Sequence, residues 1–272
     1  MEALVNSLRA FAEALAAHPD FELIVFTTYP GVKPEVIAAR ETDFFEELLE
    51  PDFDTGGETP PLRAHTYCMP YDTPEARRRL VLPKVTPLLH PTLREFYSVT
   101  DGLQLLWHYR GLQGSKVTAE PLRRHVQKGT FDWGRTHTID HHWSIGSIMI
   151  PPLKRMLAVG VLEGNFTWSE KGKRDTYYPV VPFDWYDDWA TTGLLLRGEL
   201  YHYTVRGEDA MASFTDDQTL MPVPDYLLGL GRHRGSILLR TRPTESPLTG
   251  TDWSLDALAA EIGRWEAERG SW

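Results

Sequence analysis

The segment His137 to His142, HTIDHH, holds the densest group of metal-capable side chains in the chain: three imidazoles and the carboxylate of Asp140. His137 and His141 stand at i and i+4, the spacing two histidines use to hold zinc on one helix. Thr138 and Ile139 favour a strand, however, and no apolar residue recurs at helical period. On a strand His137 and His141 share a face but stand far apart. No glutamate lies where a zinc-protease helix needs one. A solvated turn or strand edge is the simpler reading, and no metal is assigned to His137, Asp140 and His141.

Three other stretches invite chemistry and lose to plainer readings. Gly111 to Lys116, GLQGSK, echoes a phosphate loop, but Ser115 separates glycine from lysine and no helix is evident after it. A surface loop fits better. Gly229-Leu230-Gly231 reads as a helix C-cap rather than a nucleotide fingerprint. Cys68 has only His65 near it as a base, and a lone cysteine is more often packing than a nucleophile.

Phe183 to Trp189, FDWYDDW, interleaves three carboxylates with four aromatic rings. Paired carboxylates can move protons or hold a cation. Aromatics among acids also suit a basic protein surface, the rings supplying burial and the carboxylates pairing with Lys or Arg. A loop whose tryptophans fill the core is the plain alternative. The partner-binding set is Asp184, Trp185, Tyr186, Asp187 and Asp188, joined by Asp216 and Asp217. No catalytic residue and no cofactor is assigned.

The elements that must position these residues follow from periodicity. Residues 2 to 17 place Leu4, Val5, Leu8, Phe11, Ala12 and Leu15 on one helical face. Phe21 to Thr28 is a β-rich run. A helix follows Pro34 to Glu50, then a loop from Pro51 to Pro61 and a helix from Pro74 to Leu82. Leu93, Phe96 and Tyr97 predict a helix from Pro91, stopped at Asp101-Gly102 by a turn. Leu103 to Trp107 and Ile145 to Ile150 predict strands, and Leu153 to Val159 a short helix or turn. Tyr177 to Phe183, Gly193 to Leu196, Leu200 to Val205 and Ala212 to Phe214 predict short strands. Pro224 to Leu230 predicts a helix ended by Gly231, and Ser254 to Glu268 a terminal helix capped by Ser254. Helices, then a run of strands, then helices make an α+β arrangement.

The chain has 272 residues, 42% of them hydrophobic, enough for a sizeable core. Its net charge of −10 disfavours nucleic acid and anionic membranes as partners. The single cysteine excludes an internal disulfide. The first residues lack the basic start and continuous apolar run of a signal peptide, and no spanning helix is expected, so the expected place is the cytoplasm. Charge is unevenly placed. Residues 35–58 hold nine acids against Arg40, and residues 181–226 hold nine against Arg197 and Arg206. Residues 110–135 between them hold six bases against Glu120 and Asp132. That acid–base–acid pattern hints at a charged partner.

The stretch LREFYSVTDGLQLLW resembles the SUKH superfamily, the Smi/Knr-type fold. Pro91, Leu93, Phe96, Tyr97, Asp101, Gly102 and Trp107 fill its pattern of a proline-bearing helix, a DG-like end and a strand with an aromatic. Ile145 to Leu153 looks like the family's strand running into a turn, and Leu200 to Val205, Phe214 and PVPDYLLGL are similar to its closing strand and helix. The long 111–144 loop and both terminal helices depart from the shared core. The resemblance implies a single α+β domain with helices on a mixed, mostly antiparallel sheet. It places that domain at 35–240, with an extension of helix and strand at 1–34 and a helical extension at 241–272. It implies no catalytic residue. The implied role is a bacterial immunity protein, an antitoxin that neutralises a cognate polymorphic or contact-dependent toxin by covering its active site. A nuclease is one such target, since many toxin domains act on nucleic acid and are basic. The alternative is an intracellular interaction scaffold or regulatory module without a toxin partner. Neither reading predicts an oligomeric state.

Overall fold

The computed structural model describes residues 1–49, 88–112, 120, 123, 144–154, 156–157, 166–169, 177–185, 190–195, 199–204, 220–236, 239 and 254–269. Helix α1, Glu2–Ala17, buries Val5, Leu8, Phe11, Ala12 and Leu15 of the stripe its period predicts, with Leu4 half-buried. His18 ends it in extended backbone, and strand β1 runs Phe21–Pro30. Helix α2, Pro34–Leu49, opens on a proline whose fixed φ suits a first turn. Helix α3, Pro91–Val99, is capped by His90, whose Nδ1 accepts from the Thr92 amide at 3.2 Å.

The expected stop at Asp101-Gly102 is not where α3 ends. The helix closes at Thr100 in extended backbone, φ −148°, and strand β2 already begins there, Thr100–Tyr109. Gly102 lies inside the strand at φ +101°. A Cβ at that site would stand 2.8 Å from the Ile150 carbonyl oxygen. The glycine therefore serves close passage of two backbones rather than a helix stop.

Strand β3, Ile145–Ile150, pairs with β2, and β1 pairs with β2 on the other side, both antiparallel. From Gly102 to His108 every β2 residue is buried, as expected for the middle strand. A second sheet has the order β4-β5-β6-β7-β8: Phe166–Ser169, Tyr177–Trp185, Ala190–Leu195, Glu199–Thr204 and Leu220–Pro222. All its described pairs are antiparallel too. The class is α+β. In place of one mixed sheet there are two antiparallel ones, and no parallel pair occurs among the described residues. β4 and β8 were not predicted, because four and three residues are too few to display a period. The expected helix at Pro74 to Leu82 and strand at Ala212 to Phe214 lie outside the described residues.

Helix α4, Val223–His233, runs through Gly231 rather than stopping there. A Cβ on Gly231 would meet Leu4 of α1 at 3.2 Å, so the glycine lets the two helices approach. The chain leaves α4 at Arg234, which is left-handed (φ 49°, ψ 35°). Helix α5, Leu255–Arg269, is capped as predicted: the Ala257 amide donates to Ser254 Oγ at 3.0 Å.

Trp107 is the centre of the core. Its ring meets Phe11 and Phe21 edge-on, at 6.3 and 5.7 Å, and its Nε1 donates to the Arg234 carbonyl at 3.0 Å. Gly146 faces it in register, and a Cβ there would come within 2.0 Å of the indole. Phe96 and Tyr97 are fully buried beside it in the same cluster. The α1–β1 segment, expected as an extension, shares this core through Leu8, Phe11, Leu15 and Phe21, and α5 joins it through Leu258 and Ile262.

Candidate functional site

Asp184, the first carboxylate of FDWYDDW, is not a surface group. It is fully buried. Its Oδ1 accepts from the Met149 amide at 2.7 Å and its Oδ2 from the Tyr226 hydroxyl at 2.6 Å. The cause is a bulge in β5. Pro182 pairs with Gly193 and Asp184 with Thr192, leaving Phe183 as the extra residue. Regular alternation would send Phe183 and Asp184 to opposite faces. Here both meet Tyr226: the Phe183 ring edge-on at 6.0 Å, Asp184 through its hydroxyl.

That carboxylate also closes a sheet edge. Among the described residues β3 has one strand partner, β2, and on its other side only an isolated bridge from Gly146 to Ser236. On its other side the Ser147 amide donates to the Gly235 carbonyl at 2.8 Å, and the Met149 amide donates to Asp184. Exposed N–H groups on an edge invite unwanted pairing, and these two are taken up by a turn and a side chain. Asp184 thus joins the two sheets and α4.

Trp185 ends β5 opposite Thr191. Tyr186, Asp187, Asp188, Asp216 and Asp217 lie outside the described residues, as do His137, Asp140, His141, Cys68 and residues 113–116. Among the described residues no group of three His, Cys, Asp or Glu side chains could hold a metal.

A second polar group missed by sequence reading surrounds Tyr97. Its hydroxyl donates to the Pro151 carbonyl at 3.1 Å and lies 3.3 Å from Met156 Sδ. Burial, reinforced by the charges of Asp101 and Asp184, pushes its pKa well above the usual tyrosine value. Asp101 Oδ1 accepts from the Leu153 amide at 2.7 Å, so the DG pair anchors the turn after β3. Nothing in the sequence signals this, because the partners are 52 and 54 residues away.

The acid-rich segment 35–58 divides between inside and outside. On α2, Ile37, Glu41 and Phe44 are buried. Glu41 accepts from Arg94 at 2.6 and 2.8 Å and from the Leu89 amide at 2.8 Å, clamping α2 to α3. The opposite strip exposes Glu35, Val36, Ala39, Thr42 and Asp43, at i, i+1, i+4, i+7 and i+8. Val36 is one of two exposed large apolar side chains among the described residues; the other is Leu228 on α4. This strip thus sets two exposed carboxylates, Glu35 and Asp43, beside an exposed apolar residue.

No family model, curated protein or solved structure matches the chain. No helix among the described residues is long and apolar enough to cross a membrane.

Proposed function

We propose that this chain is a non-catalytic binding protein of the cytoplasm that neutralises a cognate bacterial toxin by covering its active site. The observation that carries the reading is the outward strip of α2, where Glu35 and Asp43 flank Val36 and Ala39 on one exposed face. Carboxylates around a small apolar patch suit a basic surface such as a nuclease presents to its substrate. Two things support it: the net charge of −10 and the SUKH-like pattern of Pro91, Leu93, Phe96, Tyr97, Asp101, Gly102 and Trp107. Asp187, Asp188, Asp216 and Asp217, outside the described residues, stay in the proposed partner-binding set. Asp184 does not, since it is buried.

Co-expression with the product of the neighbouring gene tests the reading. Growth arrest by that product alone, relieved when this chain is present, supports a toxin-neutralising pair. A harmless neighbour, or arrest that this chain leaves unrelieved, contradicts it.

A further inference from the structure

A cleft of about 400 Å³ opens between α1, the end of β1 and the junction of α3 with β2. The volume falls within the range of small-ligand sites, roughly 300–1,000 Å³. Its lining combines three kinds of group. Val5 and Val99 supply an apolar wall, Val5 being almost wholly buried. Asn6 and Tyr29 supply neutral polar groups. Glu2 and Arg9 supply one charge of each sign, both on exposed positions of α1. Arg9 is steadied at the rim by Asn6, whose Oδ1 accepts from its Nη1 at 3.1 Å.

The two charges stand seven residues apart on one helix, about 10 Å along its axis at 1.5 Å per residue. A ligand with a cation and an anion about that far apart, and apolar substance between, matches this backbone spacing. A free amino acid spans less than that. An extended tripeptide, at up to about 3.5 Å per residue, has the reach. We infer that this cleft binds short extended peptides with free ends. The terminal carboxylate meets Arg9, the terminal ammonium meets Glu2, and a central apolar side chain rests against Val5 and Val99. Guanidinium–carboxylate pairing is the directional contact, because the planar fork matches two oxygens. The site is distinct from the α2 strip and does not depend on the toxin-binding reading.

The test is a chemical-shift titration of the full chain with the tripeptide Ala-Leu-Ala. Three other probes run beside it: its N-acetylated form, its C-amidated form and free leucine. The expected result is saturable shifts at Val5, Arg9, Tyr29 and Val99. Each blocked peptide should bind roughly tenfold more weakly, the factor that about 1.4 kcal/mol produces. Leucine should bind more weakly still. Glu2→Gln should weaken the free tripeptide and leave the N-acetylated one unchanged; Arg9→Gln should do the same for the C-amidated one. Both positions are exposed, so both variants should keep the fold, which the unshifted remainder of the spectrum checks. Equal binding of free and blocked peptides, equal binding of leucine, or no shift at these residues at millimolar tripeptide overturns the inference.

Discussion

Asp184 is bonded to the Met149 amide and the Tyr226 hydroxyl, so its contribution is read most clearly by removing either side of a bond. Asp184→Ala removes the acceptor of the Met149 amide and of the Tyr226 hydroxyl in the core, and each bond to a charged group is worth about 1.5–3 kcal/mol. Urea unfolding should show a loss of about 3–5 kcal/mol. Tyr226→Phe keeps the ring against Phe183 and should cost about 1–3 kcal/mol. Wild-type stability in both variants would refute the clamp. Tyr97 gives a pH test. Its folded pKa is raised above the ordinary value of 10.0, so its contribution is fully present below that pH. It is lost as pH rises toward the folded value, because only the unfolded chain releases the proton first. Stability should fall above about pH 10, and Tyr97→Phe should flatten much of the fall. Tyr29 and Tyr109, also raised by burial, contribute in the same direction. At this scale the sequence was least legible. FDWYDDW shows composition but not the bulge that turns Asp184 inward, since the bulge arises from pairing with β6.

At the scale of elements, legibility tracked the strength of the period. α1, α3, β2, β3 and α5 carry long amphipathic or apolar runs and lie close to their expected bounds. Two of the errors fell on glycines. Gly102 and Gly231 both looked like helix ends, because a glycine after an apolar helical run has that meaning most often. Each instead permits a close approach between elements distant in sequence, β2 with the end of β3 and α1 with α4. The two cases separate experimentally. Gly102→Ala combines positive φ with a backbone clash at 2.8 Å and should cost about 1–3 kcal/mol in a urea titration. A neutral effect would mean that β2 and β3 do not pack as described. The α+β class was legible from the order of runs. The division into two antiparallel sheets was not, since strand partnership is a long-range property.

At the scale of the whole molecule, charge distribution links sequence to function. Clustering along the chain was visible from the start, but which acids reach solvent was not. Glu41 and Asp184 are both buried and bonded, while Glu35 and Asp43 are exposed. The proposed partner contact therefore shifts from Asp184 to the α2 strip. Glu35→Lys with Asp43→Lys should slow association with the partner several-fold, and more at low salt, with little change in stability. Association rates by surface plasmon resonance check this, and an unchanged rate removes α2 from the interface. The most direct test of the central claim is a calorimetric titration of this chain with the purified product of its neighbouring gene. The account predicts a saturable heat whose affinity falls as salt rises from low to physiological ionic strength. No heat of binding, or an affinity indifferent to salt, would contradict it.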